Sequence, residues 1–304
     1  MHQSAVTIKS LHQYIGIVDE LSKSYRLSNF IENPTAPKFI FRGVGNSTYP
    51  LLPNIFRKIN PEVDGGFDHQ KQYAQWAKES DILKDFIQEA SAIIRDTPKS
   101  EMSHWNEYAQ HYGVPTRFLD WTSNPLVALH FACCAKGKDN PAVWILHVNN
   151  YTSFSKAKNF ENSELASGNS MKLFEIFNFL IEGKKVVDYP IVYRPYYVDQ
   201  RMGAQSSCFM VWGNKTDALE NMTPDENWMR LTNKKEDGSR EFGREQKTDF
   251  LLKLEIHEYA KPEILRQLDL MEINEKRLFP GLDGIGKYIE RKYRFNNYEV
   301  NYPS

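Results

Sequence analysis

Residues 111–134 read HYGVPTRFLDWTSNPLVALHFACC, a polar and aromatic stretch that passes directly into an apolar one. Ser123 or Asn124 caps a predicted helix, and Pro125 occupies the first turn, where its missing N–H costs nothing. A helix N-terminus presents free N–H groups to anions, and Thr122 and Ser123 add hydroxyl groups beside it. The stretch therefore predicts a helix start with ligand-binding groups gathered around it.

The same stretch also has a purely structural interpretation. In that interpretation Asn124 or Ser123 serves only as a helix cap, and Arg117 forms a buried ion pair with Asp120. The clustering of aromatic side chains beside these polar residues stays unexplained by it. The residues of this stretch are compatible with both interpretations.

Apolar runs on either side predict the other elements. Strands are expected at Lys38–Gly43, Ala142–Val148, Ile191–Val198, Cys208–Trp212 and Phe250–Ile256. Helices are expected at Thr7–Ser28, His69–Arg95, Pro262–Leu270 and Gly284–Lys292, and a polar loop at Asn214–Lys247. Strands and helices are interspersed without regular βαβ alternation, which favours an α+β fold. We expect a helical extension at residues 1–37 and a single domain at residues 38–304.

The overall composition narrows the class of protein. The chain has 304 residues, of which 13% are aromatic and 25% charged, with a formal net charge of −1. This aromatic content excludes a disordered chain, and the balanced charge counts against binding nucleic acid by electrostatics alone. No apolar stretch approaches the roughly 20 residues that cross a bilayer, and the N-terminus lacks the pattern of a secretion signal. We therefore expect a cytoplasmic protein without membrane association.

Two further segments combine polar residues with strand ends. Arg42, at the end of a predicted strand, offers a planar fork of donors for phosphate or carboxylate, and Gly43 lets a ligand approach the backbone. Gln205 precedes another strand, where its amide can face a ligand hydroxyl. The structural alternatives are a surface arginine and an ordinary turn residue.

Several kinds of site are disfavoured by spacing. The eight histidines are scattered, and no pair of cysteine or histidine residues at zinc spacing stands out, so no metal is expected. The glycine-rich phosphate loops GxGxxG and GxxxxGK[ST] are absent. A thiol mechanism that pairs Cys208 with His111 is disfavoured because cysteine is among the most buried residue types.

Four segments in this order resemble the FRG-domain family, which is named for a Phe-Arg-Gly element. They are FIFRG, HYGVPTRFLDWTSNPLVALHFA, the R…Q…F element of DQRMGAQSSCF, and LFPGLDGI, together spanning about residues 38 to 290. The layout also resembles ADP-ribosyltransferases of the Arg–Ser/Thr–Glu kind. That resemblance implies a split, mixed or antiparallel β-sheet core with surrounding helices and an N-terminal helix.

The resemblance implies roles for individual residues. Catalytic roles fall to Arg42, Thr122, Gln205 and Asp120, and NAD-binding roles to Arg42, Gly43, His111, Tyr112, Trp121 and Ser123, with Tyr112 or Trp121 stacking on the nicotinamide ring. Gln205 stands where such enzymes carry a glutamate, and it contributes no charge to the oxocarbenium-like state that forms when the nicotinamide–ribose bond breaks. The acidic role therefore passes to Asp120 or to a glutamate; the candidates are Glu107, Glu241 and Glu245.

The function implied by the resemblance is an NAD-dependent ADP-ribosyltransferase with NAD as its substrate. Such an enzyme would be a bacterial toxin or phage-defence effector that modifies RNA or protein. A toxin needs restraint, so an antitoxin or chaperone is an expected partner, and the N-terminal helix is the first candidate for its docking surface. The alternatives are a sensor or adaptor that binds a nucleotide or anion without turnover, and a structural interaction protein whose aromatic residues form the core.

Overall fold

The computed structural model describes the parts of the chain from which the fold and its central cleft are built. The described residues are 6–24, 37–59, 69–94, 102–135, 137, 139–160, 187–195, 197, 199–224, 231–234, 240–242 and 249–296. The strands are β1 (Val6–Ile8), β2 (Phe39–Val44), β3 (Phe118–Thr122), β4 (Ala142–His147), β5 (Ile191–Tyr193), β6 (Ser207–Val211), β7 (Leu231–Lys234), β8 (Arg240–Phe242) and β9 (Leu251–Ile256).

Helices of very different length surround these strands. They are α1 (Leu11–Ser24), α2 (Asn54–Ile59), α3 (His69–Ala90), α4 (Met102–His111), α5 (Pro125–Cys134), α6 (Val148–Phe160), α7 (Gln200–Ala204), α8 (Leu219–Met222), α9 (Lys261–Leu270), α10 (Glu275–Leu278) and α11 (Leu282–Asn296). A short 3₁₀ turn at Glu258–Ala260 leads into α9. Across the described part of the chain, none of these helices has the length and apolar character needed to cross a membrane.

The described residues form a seven-stranded sheet in the order β1-β9-β4-β2-β3-β6-β5. Strand β1 runs parallel to β9, and each of the other neighbouring pairs is antiparallel. Strands β7 and β8 pair separately. The α+β class, with a mixed sheet and surrounding helices, is therefore confirmed.

Strand β4 lies in the middle of the core and is buried along its whole length. Its side chains alternate between two layers, with Val143 and Ile145 on one face of the sheet and Trp144 and Leu146 on the other. Helices α1, α5 and α9 cover the first face, and α2, α6 and α8 cover the second. A strand buried on both faces is mostly apolar, and in AVWILH only the terminal His147 departs from this, which is why the segment was recognisable as a strand.

Strands β2 and β3 pair at a single position, Phe41 opposite Thr122. By contrast, β2 pairs with β4 along six successive residues, and β3 pairs with β6 along five. Beyond Phe41 the Asp120 carbonyl oxygen accepts a hydrogen bond from Nη1 of Arg42. The Arg42 side chain thus bonds the backbone of β3 at the point where β2 and β3 separate.

The N-terminal segment differs from its prediction. The expected helix at Thr7–Ser28 is a strand, β1, followed by a helix that begins at Leu11, and residues 25–28 lie outside the described part of the chain. Strand β1 completes an edge of the sheet against β9, and the Ser10 hydroxyl accepts a hydrogen bond from the N–H of Gln13 (3.2 Å), which starts the helix. The buried residues of α1 pack in the same core as the sheet, so that face is not available to a partner.

Three other regions also differ from the sequence prediction. Strand β5 ends at Tyr193 instead of Val198, and the expected loop at Asn214–Lys247 contains α8 and the β7–β8 pair. Helix α6 follows β4 without a break and was missed, because its sequence VNNYTSFSKAKNF is poor in strong helix formers. Tertiary contacts hold it: the hydroxyls of Tyr151 and Ser155 both donate to the Pro190 carbonyl, at 2.7 and 2.9 Å.

The contact between β2 and α5 yields a first prediction. A Cβ atom at Gly43 would lie 2.0 Å from the Ala128 carbonyl oxygen and 2.6 Å from the Ala132 nitrogen. We expect Gly43→Ala to lower the free energy of unfolding by at least about 2 kcal/mol, since strand and helix must move apart. Gly16→Ala is the control, because no described atom beyond the adjacent residues and backbone of its own helix lies within 4 Å of the added Cβ, and alanine in α1 should stabilise by about 0.5–1 kcal/mol. Equal effects in urea denaturation would contradict this account.

A second prediction concerns acid. Burial, together with the charge of Lys38, lowers the pKa of His147 to about 4, and its Nδ1 accepts a hydrogen bond from the Asn150 N–H (3.2 Å). As the pH falls below about 6.5, the unfolded chain takes up this proton before the folded one, so stability falls by up to about 1.4 kcal/mol per pH unit until about pH 4. His147→Asn should reduce this pH dependence, whereas His12→Asn on the exposed side of α1 should not. Denaturation at a series of pH values gives the slopes; identical slopes in all three proteins would refute the assignment.

Candidate functional site

A cleft of about 300 Å³ opens where β2, β3 and β6 meet α4, α5 and α7. Its polar lining residues are Arg42, Gln110, His111, Asp120, Thr122, Arg201, Gln205 and Ser207. Its remaining lining residues are Phe41, Gly43, Trp121, Phe131, Met202 and Phe209. Residues from three separate stretches of the sequence, 41–43, 110–131 and 201–209, thus share one concave surface.

Arg42 is the cationic group at the open junction of β2 and β3. Burial lowers its pKa to about 10, with Asp120 opposing that shift and the nearby Arg57 adding to it. The guanidinium therefore stays protonated at neutral pH. Its Nη1 donates to the Asp120 carbonyl, whereas its Nε is buried and has no hydrogen-bond partner among the residues that the structure describes. An unsatisfied buried N–H of this kind is costly unless a ligand accepts from it.

Asp120 presents a carboxylate to the cleft. Both of its carboxylate oxygens accept from Nε2 of Gln110, at 3.0 and 2.9 Å, and the Gln110 carbonyl oxygen in turn accepts from the Thr116 hydroxyl. The carboxylate is exposed, so a ligand can reach it. Gln110 was not singled out from the sequence, because its position on α4 gives no sign of the strand that it contacts.

The expected ion pair between Arg117 and Asp120 is wrong. Arg117 pairs with Glu79 on α3, with Nε and Nη2 both 2.7 Å from Oε2, and its Nη1 donates to the carbonyls of Trp212 and Gly213. Residues an odd number of positions apart on an extended strand point to opposite faces, which separates Arg117 from Asp120.

Thr122 links the second predicted segment to the third. Its hydroxyl donates to the Gln205 carbonyl (2.6 Å) and accepts from the N–H of Asn124 (3.0 Å), whose own side chain caps α5. The Gln205 amide donates to the Leu278 carbonyl (3.0 Å), which brings the fourth segment to the same place. Ser123 lies outside the lining and donates its N–H to the Ser206 carbonyl (3.0 Å).

His111 and Arg201 lie at the α7 side of the cleft. Nε2 of His111 contacts the Asp199 carboxylate, which also caps α7 by accepting from the N–H of Met202 (2.9 Å). Burial lowers the pKa of His111; Asp199 opposes that shift and Arg201 adds to it. The Arg201 guanidinium lies 4.7 Å from the centre of the Phe279 ring. This side of the cleft therefore holds a second fixed cation.

The two rings expected to stack on a nicotinamide differ in position. Trp121 lines the cleft but is 3% exposed and packs in the core with Leu119 and Cys208, whereas Tyr112 is 64% exposed and outside the lining. Phe131 and Phe209 line the cleft as well, and Phe209 is also largely buried, at 4% exposed. Both were missed in the sequence, because apolar residues in a helix and a strand resemble ordinary core positions.

Of the three candidate glutamates, Glu107 is the one whose side chain the structure describes, and it does not line the cleft. Glu107 is fully buried and accepts from the Tyr193 hydroxyl. The side chain of Glu241, in β8, and the whole of Glu245 lie outside the description. Among the described residues, Asp120 is the acidic side chain that lines the cleft.

Comparison with known proteins identifies the domain. The family model of the FRG domain matches residues 37–141, so the chain contains an FRG domain and the family predicted from sequence is confirmed. The match includes Arg42, Asp120 and Thr122 and ends before Gln205 and the LFPGLDGI segment. No match to the chain was found among curated proteins or among solved structures.

The hydrogen bonds of Thr122 yield a third prediction. Thr122→Val keeps the shape of the side chain but leaves the Gln205 carbonyl and the Asn124 N–H without their partner, which we expect to cost about 1–3 kcal/mol. Thr122→Ser retains the hydroxyl and should cost less than half as much. Chemical denaturation measures both, and a loss in Thr122→Ser as large as that in Thr122→Val would contradict the assignment of the effect to the hydroxyl.

Proposed function

We propose that the cleft binds NAD and that the protein is an NAD-dependent ADP-ribosyltransferase. The observation that carries the proposal is the pairing of two opposite charges in one cleft. The half-buried Arg42, whose Nε has no hydrogen-bond partner in the described part of the chain, lies beside the exposed carboxylate of Asp120. NAD requires both charges, a cation for its phosphates and an anion for the ribose that becomes electron-poor during transfer.

The reaction separates charge at the ribose. The bond between C1′ and the nicotinamide nitrogen breaks, and nicotinamide leaves with the electron pair. An acceptor nucleophile then forms a bond to C1′ and loses a proton. Positive charge accumulates on the ribose before the new bond is complete, so a fixed carboxylate nearby lowers the barrier by electrostatics.

We assign that carboxylate to Asp120. Gln205 occupies the position that the resemblance gives to a glutamate, but its amide nitrogen is engaged by the Leu278 carbonyl and it has no charge. Asp120 is held in place by Gln110, so it need not reorganise when charge develops. Arg42 and Arg201 are assigned to the phosphates, and the rings of Phe131 and Phe209 to the nicotinamide.

The size of the cleft sets how much of NAD it encloses. Ligand pockets usually measure about 300–1,000 Å³, and this cleft lies at the lower end of that range. It suits the nicotinamide–ribose half of the molecule, with the adenosine half extending outward. The exposed cation Arg57, whose charge reaches both Arg42 and Asp120, lies close enough to interact with that outer half.

The biological setting remains part of the proposal. The acceptor is RNA or protein, and the activity would be that of a toxin or defence effector restrained by an antitoxin or chaperone. The buried face of α1 packs in the core, so such a partner would bind to another part of the molecule.

A second candidate, a nucleotide sensor without turnover, is favoured by the internal bonds of the site. The Gln205 amide, the Thr122 hydroxyl and the Arg42 Nη1 all bond backbone carbonyls of this chain. If those bonds persist with ligand bound, fewer groups remain for catalysis.

The fourth prediction separates these functions. The purified full chain is incubated with adenylate-labelled NAD and with RNA and protein fractions of a lysate, and both nicotinamide release and labelled acceptor are measured. We expect turnover, and a loss of at least about 100-fold in Asp120→Asn, which keeps an acceptor for Gln110 but removes the charge. Arg42→Lys should weaken NAD binding, because the planar fork is lost.

Asp139→Asn, on an exposed loop outside the cleft, is the matched control and should behave as the unmodified chain does. Binding of NAD in calorimetry without any turnover would select the sensor. Absence of binding would exclude both functions, and full activity in Asp120→Asn would exclude the assigned carboxylate.

A further inference from the structure

A second group of polar side chains lies between α5 and α10, and none of its members lines the cleft. His130 and Cys134 are one turn apart on α5, and Glu275 is the first residue of α10. The Cys134 Sγ lies 3.3 Å from His130 Nε2 and 3.5 Å from Glu275 Oε1, and those two atoms are 3.8 Å apart. Three different metal-binding donors thus form a small triangle.

We propose that His130, Cys134 and Glu275 form a zinc site. A point equidistant from the three donor atoms lies about 2.1 Å from each, and bonds from zinc to nitrogen, oxygen and sulfur measure about 2.0–2.3 Å. Imidazole, thiolate and carboxylate are the usual zinc ligands in proteins. A water molecule would complete a tetrahedral site, and the partly exposed Cys134 gives the metal a path from solvent.

One side chain must adjust for the metal to bind. The Cys134 Sγ is also 3.6 Å from Nδ1 of His130, so the sulfur lies beside the ring instead of along the lone pair of Nε2. Metal binding therefore requires the imidazole to turn about its Cβ–Cγ bond until this lone pair faces the metal.

The surrounding charges favour a bound cation. Nε of Arg291 donates to both oxygens of Glu275, at 2.7 and 2.9 Å, and its Nη2 lies 3.8 Å from the Asp269 carboxylate. Two carboxylates and one guanidinium leave an excess negative charge in a partly buried cluster. A divalent metal bound to the Cys134 thiolate neutralises it, and Arg291 continues to orient Glu275 from outside the ligand set.

The arrangement differs from a catalytic triad. His130 uses the same nitrogen, Nε2, for its closest approach to Cys134 and to Glu275, so the carboxylate does not orient the opposite ring nitrogen. No part of the cleft reaches this thiol. A structural metal, and not a nucleophile, fits the geometry.

A metal at this position would hold helix α10, which contacts one side of the cleft, against helix α5. Helix α10 ends at Leu278, whose carbonyl holds Gln205, and the following Phe279 packs edge-on against Phe131 with ring centres 5.9 Å apart. Zinc between α5 and α10 would therefore fix the position of Gln205. This inference is independent of the proposed NAD chemistry.

The test uses the full-length chain, stripped of metal with a chelator and titrated with Zn²⁺ against a chromogenic competitor and separately with Co²⁺. We expect one metal ion per chain, and a thiolate-to-Co²⁺ charge-transfer absorption band. Cys134→Ala should lose that band, bind Zn²⁺ at least about 10-fold more weakly and show no rise in Tm with zinc. Cys133→Ala, next to it but outside the triangle, should keep all three properties.

Glu275→Gln is a second variant in case Cys134→Ala does not fold. It should keep the charge-transfer band, because the thiolate remains, but bind Zn²⁺ more weakly. Failure of the unmodified chain to bind metal in a 1:1 ratio would overturn the proposal. Equal binding by Cys134→Ala and the unmodified chain would overturn it as well, since the metal would then be held elsewhere.

Discussion

The close approach of strand β2 to helix α5 sets the position of most polar groups in the cleft. Gly43 lies so near the backbone of α5 that no side chain fits between them. Helix α5 starts immediately after β3, so holding α5 against β2 also fixes the end of β3 beside Arg42. The junction at which the sheet opens is therefore a consequence of this helix–strand contact. Gly43 was expected to admit a ligand, but what approaches its backbone is the helix.

The elements that could be predicted from sequence are those whose burial requires a run of mostly apolar residues. Strands β2, β4 and β9 and helix α5 pack in the core and are mostly apolar, with only single polar residues between their apolar ones. Strand β1 was not separable from the helix that follows, because three residues carry too little periodicity to identify a strand. Helix α6 depends on contacts with Pro190, which no local pattern records.

The candidate site was predictable to the extent that its residues fall in dense polar segments. Arg42, Asp120, Thr122 and Gln205 were found in this way, and they line one cleft. Contacts between segments could not be predicted from the sequence. The side chain that bonds Asp120 is Gln110, not Arg117, because Asp120 and Arg117 point to opposite faces of the strand. The His130–Cys134–Glu275 triangle was not predicted for a related reason: Cys134 and Glu275 are 141 residues apart along the chain.

Helix α5 connects the two polar regions of the molecule. Its N-terminal cap, Asn124, is bonded to Thr122 at the cleft, and its last turn carries the cysteine of the triangle. Because α5 has only 10 residues, a displacement at one end must move the other. Any ligand that fixes Cys134 relative to α10 would therefore restrict the cleft from two sides, through α5 and through the bond between Leu278 and Gln205. The rigidity of the cleft is then a property of the whole helix and its neighbours, and residues far from the ligand contribute to it.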